Sequence, residues 1–120
     1  MKRFLLFFIF FFSLSTYSQE VNINYIKYKL NKEKGTAEVV VYTYWNEIVI
    51  PEIVSYEGKD YLVTSIANNV FSKTKGITSI TIPKSIKSIG YGAFADCNKL
   101  KEVNISDIAA WCNIDFMALT

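Results

Sequence analysis

The feature that most constrains the fold is a self-similarity at an offset of 23. Laid over the stretch from Ile86, "IKSIGYGAFADCNKLKEVNIS", the stretch from Val63, "VTSIANNVFSKTKGITSITIP", aligns without a gap. Ser65 falls on Ser88, Ile66 on Ile89 and Phe71 on Phe94. Val63 meets Ile86, Val70 meets Ala93, Ile77 meets Leu100, Ile80 meets Val103 and Ile82 meets Ile105. Apolar sites are kept while intervening sites drift, as in Lys73 against Asp96. A unit this short cannot bury its own apolar edge, so the chain must stack its units into a solenoid whose core forms between them.

One unit can be read physically. "ITSITIP" alternates, setting Thr78, Ile80 and Ile82 on one face and Ser79 and Thr81 on the other, the period of a half-buried strand. Pro83 has no N–H for a ladder and helps to end that strand. A second short alternation, Ile86 and Ile89, leads to Gly90, where the chain can turn. In "YGAFADC" the spacing of Ala93, Phe94 and Cys97 predicts a single helical turn on the layer below. The expected core is therefore Ile66, Phe71, Ile80, Ile82, Ile89, Phe94, Cys97, Leu100, Val103 and Ile105.

Ahead of the repeats, Ile26, Tyr28 and Leu30 alternate, a turn runs from Asn31 to Gly35, and a second strand spans roughly residues 36–44. "IVIP" repeats the Ile-Pro ending at Ile50 and Pro51, and a further turn falls at Glu57 to Asp60. The expected division is a leader over 1–18, a β cap with an atypical first repeat over 19–60, two repeats over 61–106 and an incomplete unit over 107–120.

The leader is "MKRFLLFFIFFFSLSTYSQE": two cations, an apolar run from Phe4 to Phe12, then small and polar residues. That is the layout of a secretory signal peptide, with cleavage expected between Ser18 and Gln19, and the run is well short of the roughly 20 residues that cross a bilayer. Export to the surface or medium is the expectation, with no stable membrane span in the mature chain. Lys2 and Arg3 leave with the leader, so the remainder balances its Lys and Arg against its Asp and Glu. Nucleic-acid binding, which needs clustered cations to replace phosphate counterions, is not expected.

"ITSITIPKSIKSIGYGAFADCNKLKEVNI" resembles the BspA-type leucine-rich repeats of bacterial surface and secreted proteins, whose units read approximately L-x-x-V-x-I-P-x-S-V-x-x-I-G-x-x-A-F-x-x-C. Ile77, Ile80, Ile82, Pro83, Ser85, Ile86, Ile89, Gly90, Ala93, Phe94 and Cys97 fall on that pattern. Thr74 stands where the pattern has cysteine and Ala67 where it has glycine. The resemblance implies a leucine-rich-repeat solenoid, mainly β with short helical turns, behind an N-terminal β-hairpin cap. In long members it implies adhesion or the binding of host and matrix proteins.

Chemistry is sparse. With no histidine, a thiolate at Cys97 or Cys112 lacks a base, and no tetrahedral zinc set can be assembled. The two cysteines are either packed as small hydrophobes or joined in a disulfide. The carboxylates are scattered through turns and outer strand positions, a poor basis for a hydrolase that needs two facing each other. No cofactor is expected. Two groups remain as binding candidates for a protein or glycan: Ser79, Thr81, Glu102 and Asn104 on outward strand sites, and the aromatics Tyr42, Tyr44 and Trp45, for which packing within the hairpin and its neighbouring sheet is the commoner alternative. The expected function is a non-catalytic adhesion or interaction module. A structural spacer or fragment of a longer repeat protein is the alternative, and a carboxylate hydrolase the third reading. Ser106 or Asp107 is expected to cap a helix before Trp111 and Cys112. Trp111, Ile114 and Phe116 have no complete following unit, which predicts self-association or a partner contact there, or marginal stability.

Overall fold

The computed structural model describes residues 18–42, 46–72, 74 and 76–117. The expected leader therefore lies outside the described residues apart from Ser18, which opens the first strand. In chain order the elements are β1 (Ser18–Ile23), β2 (Ile26–Asn31), β3 (Thr36–Tyr42), β4 (Glu47–Val49), β5 (Ile53–Tyr56), β6 (Lys59–Ile66), β7 (Ser79–Ile82), β8 (Ser88–Ile89), β9 (Glu102–Ile105), α1 (Ile108–Cys112) and β10 (Asp115–Phe116).

Two sheets face each other across the core. One runs β1-β2-β3-β6-β8-β10, with β5 added antiparallel to β6, and the other runs β4-β7-β9, all parallel. The chain alternates between them. From β7 it turns at Pro83 into β8, then crosses through residues 90–100 to β9, which pairs in register with β7. Ser65 stacks on Ser88 and Ser79 on Glu102, both at the repeat spacing. Glu47 and Ser79 are stacked at a longer spacing because the β5–β6 hairpin is inserted into that coil. Ser88 and Asp115 are four residues beyond it because α1 replaces the tight turn.

Inward side chains fill the space between the sheets. Leu30, Val39, Val63, Ile66, Phe71, Ile80, Ile82 and Ile89 are all buried. An aromatic ladder threads the coils: Tyr42 lies 5.8 Å from Phe71, and Phe71 lies 5.2 Å from Phe94, their rings 12° from parallel. Packing of this kind is worth more than area burial alone.

The cap is larger than a hairpin. β1 joins it antiparallel to β2 through a two-residue turn at Asn24 and Tyr25, both with positive φ (49 and 68). Such a turn normally carries Asn-Gly, so a tyrosine there leaves no signal in the sequence. β3 then pairs parallel to β6, making the cap a continuation of the repeat sheet.

Three expectations need correction. The segment after Gly90 is a run of three-residue-spaced bonds, Ala93 N–H to Gly90, Ala95 to Gly92 and Cys97 to Phe94, rather than an α-helical turn. Gly92 and its repeat partner Asn69 both take left-handed backbone (φ 63 and 59), which an α turn could not accommodate. Val103, placed in the core by the repeat, is 45% exposed, because β9 pairs with β7 on one side and with no described strand on the other. Phe94, Cys97, Leu100 and Ile105 are partly buried for the same reason.

The degenerate positions of the first coil also have a physical reason. A Cβ at Gly90 would lie 2.5 Å from the backbone of Ala67 and Asn68, so glycine is required where coil meets coil. Ala67 instead rests on cap strand β3, donating its N–H to Val39 O at 2.8 Å, and a methyl fits.

Candidate functional site

Parallel pairing without bulges sets the outward side chains of β4, β7 and β9 into rows. Glu47, Ser79 and Glu102 form one row, and Val49, Thr81 and Asn104 the next. Four of these are the outward residues expected from the sequence, and the structure brings them together on one face. Asn104 Nδ2 reaches Ser79 Oγ diagonally at 3.4 Å. Glu102 and Asn104 are exposed, and Ser79 and Thr81 half so. Glu47 and Val49 were not anticipated, because the hairpin inserted into their coil shifts them out of the repeat frame.

The aromatic candidates fare differently. Tyr42 is buried at the head of the aromatic ladder and offers no outward ring. Plain alternation from the inward Ala37 and Val39 would have turned it outward; the register shift at Val40, where Tyr28 pairs with Val39 but Lys27 with Val41, brings Tyr42 inward opposite Ile26. Tyr44 and Trp45 lie outside the described residues.

Both cysteines are free thiols. Cys97 donates through Sγ to the carbonyl of Phe71, one coil away, at 3.3 Å. Its pKa is raised, first by burial and then by the negative charge of Asp96, which makes it a poor nucleophile at neutral pH. Thr74, at the same repeat position, donates to the same carbonyl from within its own coil at 2.6 Å. Cys112 is exposed at the end of α1, whose first turn is capped by Asp107 accepting from Ala110 N–H at 2.9 Å.

Among the described residues no three His, Cys, Asp or Glu side chains converge on a common point. No described helix is long and apolar enough to cross a membrane.

A second polar surface was missed by sequence reasoning. On the outer face of the larger sheet, Glu20, Lys29, Glu38, Ser65, Ser88 and Asp115 are successive cross-strand partners from the cap to the last coil. A shallow groove of about 410 Å³ lies beside Lys29, Lys34, Glu38 and Ser65. Nothing in the repeat frame announces this row, because the cap strands do not share the period.

The family model described as the BspA type leucine rich repeat region (6 copies) matches residues 64–113. No curated protein matches the chain significantly. Among solved structures, a leucine-rich repeat protein from Bacteroides capillosus is 35% identical with a TM-score of 0.65, over 72% of this chain and 65% of that one. A leucine-rich repeat protein from Bacteroides ovatus is 36% identical with a TM-score of 0.66, over 72% of this chain and 24% of that one. A leucine rich cell surface protein from Faecalibacterium prausnitzii is 33% identical with a TM-score of 0.67, over 74% and 24%. The chain thus spans about a quarter of the length of the last two and just under two thirds of the first.

Proposed function

The chain is a member of the BspA-type leucine-rich-repeat family through residues 64–113, and from that premise we propose that it is a secreted or cell-surface module that binds a protein or glycan without catalysis. The observation that carries this reading is the outward polar face of β4, β7 and β9, built from in-register rows on a rigid parallel sheet. Regular strands hold Ser79, Thr81, Glu102 and Asn104 at fixed separations, so a partner meets donors and acceptors that are already positioned. Surface location is supported by the leader-like N-terminus and by the similarity to a leucine rich cell surface protein.

Size refines the proposal. Three strands about 4.8 Å apart, with outward residues roughly 7 Å apart along each, make a patch on the order of 10 Å square. A stable protein interface needs about 800 Å² per partner. The face must therefore be one part of a larger contact. Retention of the purified chain on immobilised matrix proteins, compared with the Thr81→Arg and Asn104→Arg variants, tests the reading. Equal retention of correctly folded variants would count against it.

A second contact is proposed at the C-terminal side, where Ile108, Phe116 and Met117 are exposed around the Trp111–Phe116 edge contact. Self-association there would give a mass by light scattering that rises with concentration, and a mass fixed at the monomer value would exclude it.

A further inference from the structure

The fold begins where the leader is expected to end. β1 opens at Ser18, which pairs with Asn31, and Gln19 pairs with Leu30. Val21, two residues on, already belongs to the buried core. Thr16 and Ser18 are small residues at the spacing a signal peptidase reads. Hydrolysis of the Ser18–Gln19 peptide bond on the unfolded chain leaves Ser18 with a carboxyl group and Gln19 with a free α-amine. It costs β1 only its first residue.

The residue type at that position matters. A glutamine side chain brings its amide carbon within ring-closing reach of its own nitrogen, and only at a chain terminus is that nitrogen a nucleophilic amine. In closure the amine attacks Cδ, the new N–Cδ bond forms and the Cδ–Nε2 bond breaks. Nε2 takes a proton from the amine and leaves as ammonia. The product is a lactam, pyroglutamate, and the step needs no oxidant or co-reactant.

The structure also shows what opposes closure. Gln19 Nε2 donates to the hydroxyl of Tyr56 in β5 at 3.2 Å, and both side chains are half-buried. The donor of that bond is the atom that leaves as ammonia. The open amide and the tie from β1 to β5 are therefore kept together or lost together.

We propose that Gln19 is the N-terminal residue of the exported chain and a site of pyroglutamate formation, with Tyr56 setting the rate of closure. The proposal rests on the reading of the chain as exported. Closure removes the terminal positive charge and the free amine that an aminopeptidase needs. The lactam nitrogen keeps one N–H, so the strand end can still pair with β2.

The test expresses the full chain in a bacterium that exports it through its own signal peptidase. Intact mass and mass spectrometry of the N-terminal peptide follow the closed fraction at neutral pH from recovery onward. A chain that begins at Gln19 and loses the mass of one ammonia is the expected result, with no such loss in Gln19→Ala. Tyr56→Phe, confirmed as folded by its unfolding midpoint, should close about fivefold faster, the effect of one neutral hydrogen bond. In urea the two forms should close at equal rates. An intact leader overturns the reading of export together with this proposal. A start at another residue, such as Thr16 after the similarly spaced Ser13 and Ser15, overturns this proposal alone. So does a Gln19 that stays open in both forms, or an equal rate of closure in folded Tyr56→Phe.

Discussion

The rings of Phe71 and Phe94 stack at 5.2 Å and 12° from parallel, one repeat apart. Phe71 is fully buried with Tyr42 on its other side, whereas Phe94 is only partly buried. Truncation should therefore cost unequal amounts from the same side chain at the same repeat position. Phe71→Ala is expected to lose about 3–5 kcal/mol and Phe94→Ala about half of that. Urea unfolding of the two variants checks the ratio.

Gly90→Ala should destabilise more than its exposure suggests, since the added methyl meets the backbone of Ala67 and Asn68 at 2.5 Å. The coil would have to separate there, lengthening the 2.7 Å bond from Gly90 N–H to Ile66 O. Ala67→Gly should cost only about 1 kcal/mol or less, an effect of backbone entropy. A clearly larger drop in Tm for Gly90→Ala is the expected result.

Ser85 carries a buried hydroxyl with no hydrogen-bond partner among the described residues. Removing it leaves a void of only one oxygen and relieves an unmet polar group. Ser85→Ala should hold or raise stability, by up to about 1 kcal/mol in chemical denaturation. A loss of more than that amount would show that the hydroxyl has a partner.

The thiols should separate by reactivity and by pH. Cys112 is exposed, while burial and Asp96 hold the Cys97 pKa above the ordinary thiol value. Iodoacetamide at mildly alkaline pH should modify Cys112 first, as followed by intact mass. The raised pKa means that the folded chain holds the proton more tightly than the unfolded one. Its contribution to stability is thus present below the unfolded thiol pKa and is lost as pH rises through the folded value. In Cys97→Ala, that part of the alkaline loss should disappear.

The coil was legible in the sequence because stacking imposes one offset on every inward site. Ile66 over Ile89 and Phe71 over Phe94 are both pairings that the repeat demands and the structure contains. The cap was legible only in part. Its β2–β3 hairpin shows in alternation and in the turn to Gly35, whereas β1 is joined by Asn24 and Tyr25, whose positive φ no residue pattern announces. Burial at the edges was not legible either. Val103 has the right residue type and register for the core, but inwardness along a strand yields burial only where something packs on the next side. For Tyr42 the sequence left an outward ring and packing in the hairpin both open, and contact with Phe71 in the ladder decides for packing. Of the candidate face, the sequence showed the residues of β7 and β9 but not Glu47 and Val49, which only the three-dimensional stacking across an insertion aligns.

The most direct measurement compares the two outer faces for a single partner. Affinity for whichever matrix protein retains the chain is measured for Thr81→Arg with Asn104→Arg, and for Lys29→Glu with Ser65→Arg on the larger sheet. Each pair is first confirmed as folded by its unfolding midpoint. The account predicts a loss of at least tenfold for the first pair and less than twofold for the second. Equal losses, or loss only in the second pair, would contradict it and move the binding surface to the outer face of the cap.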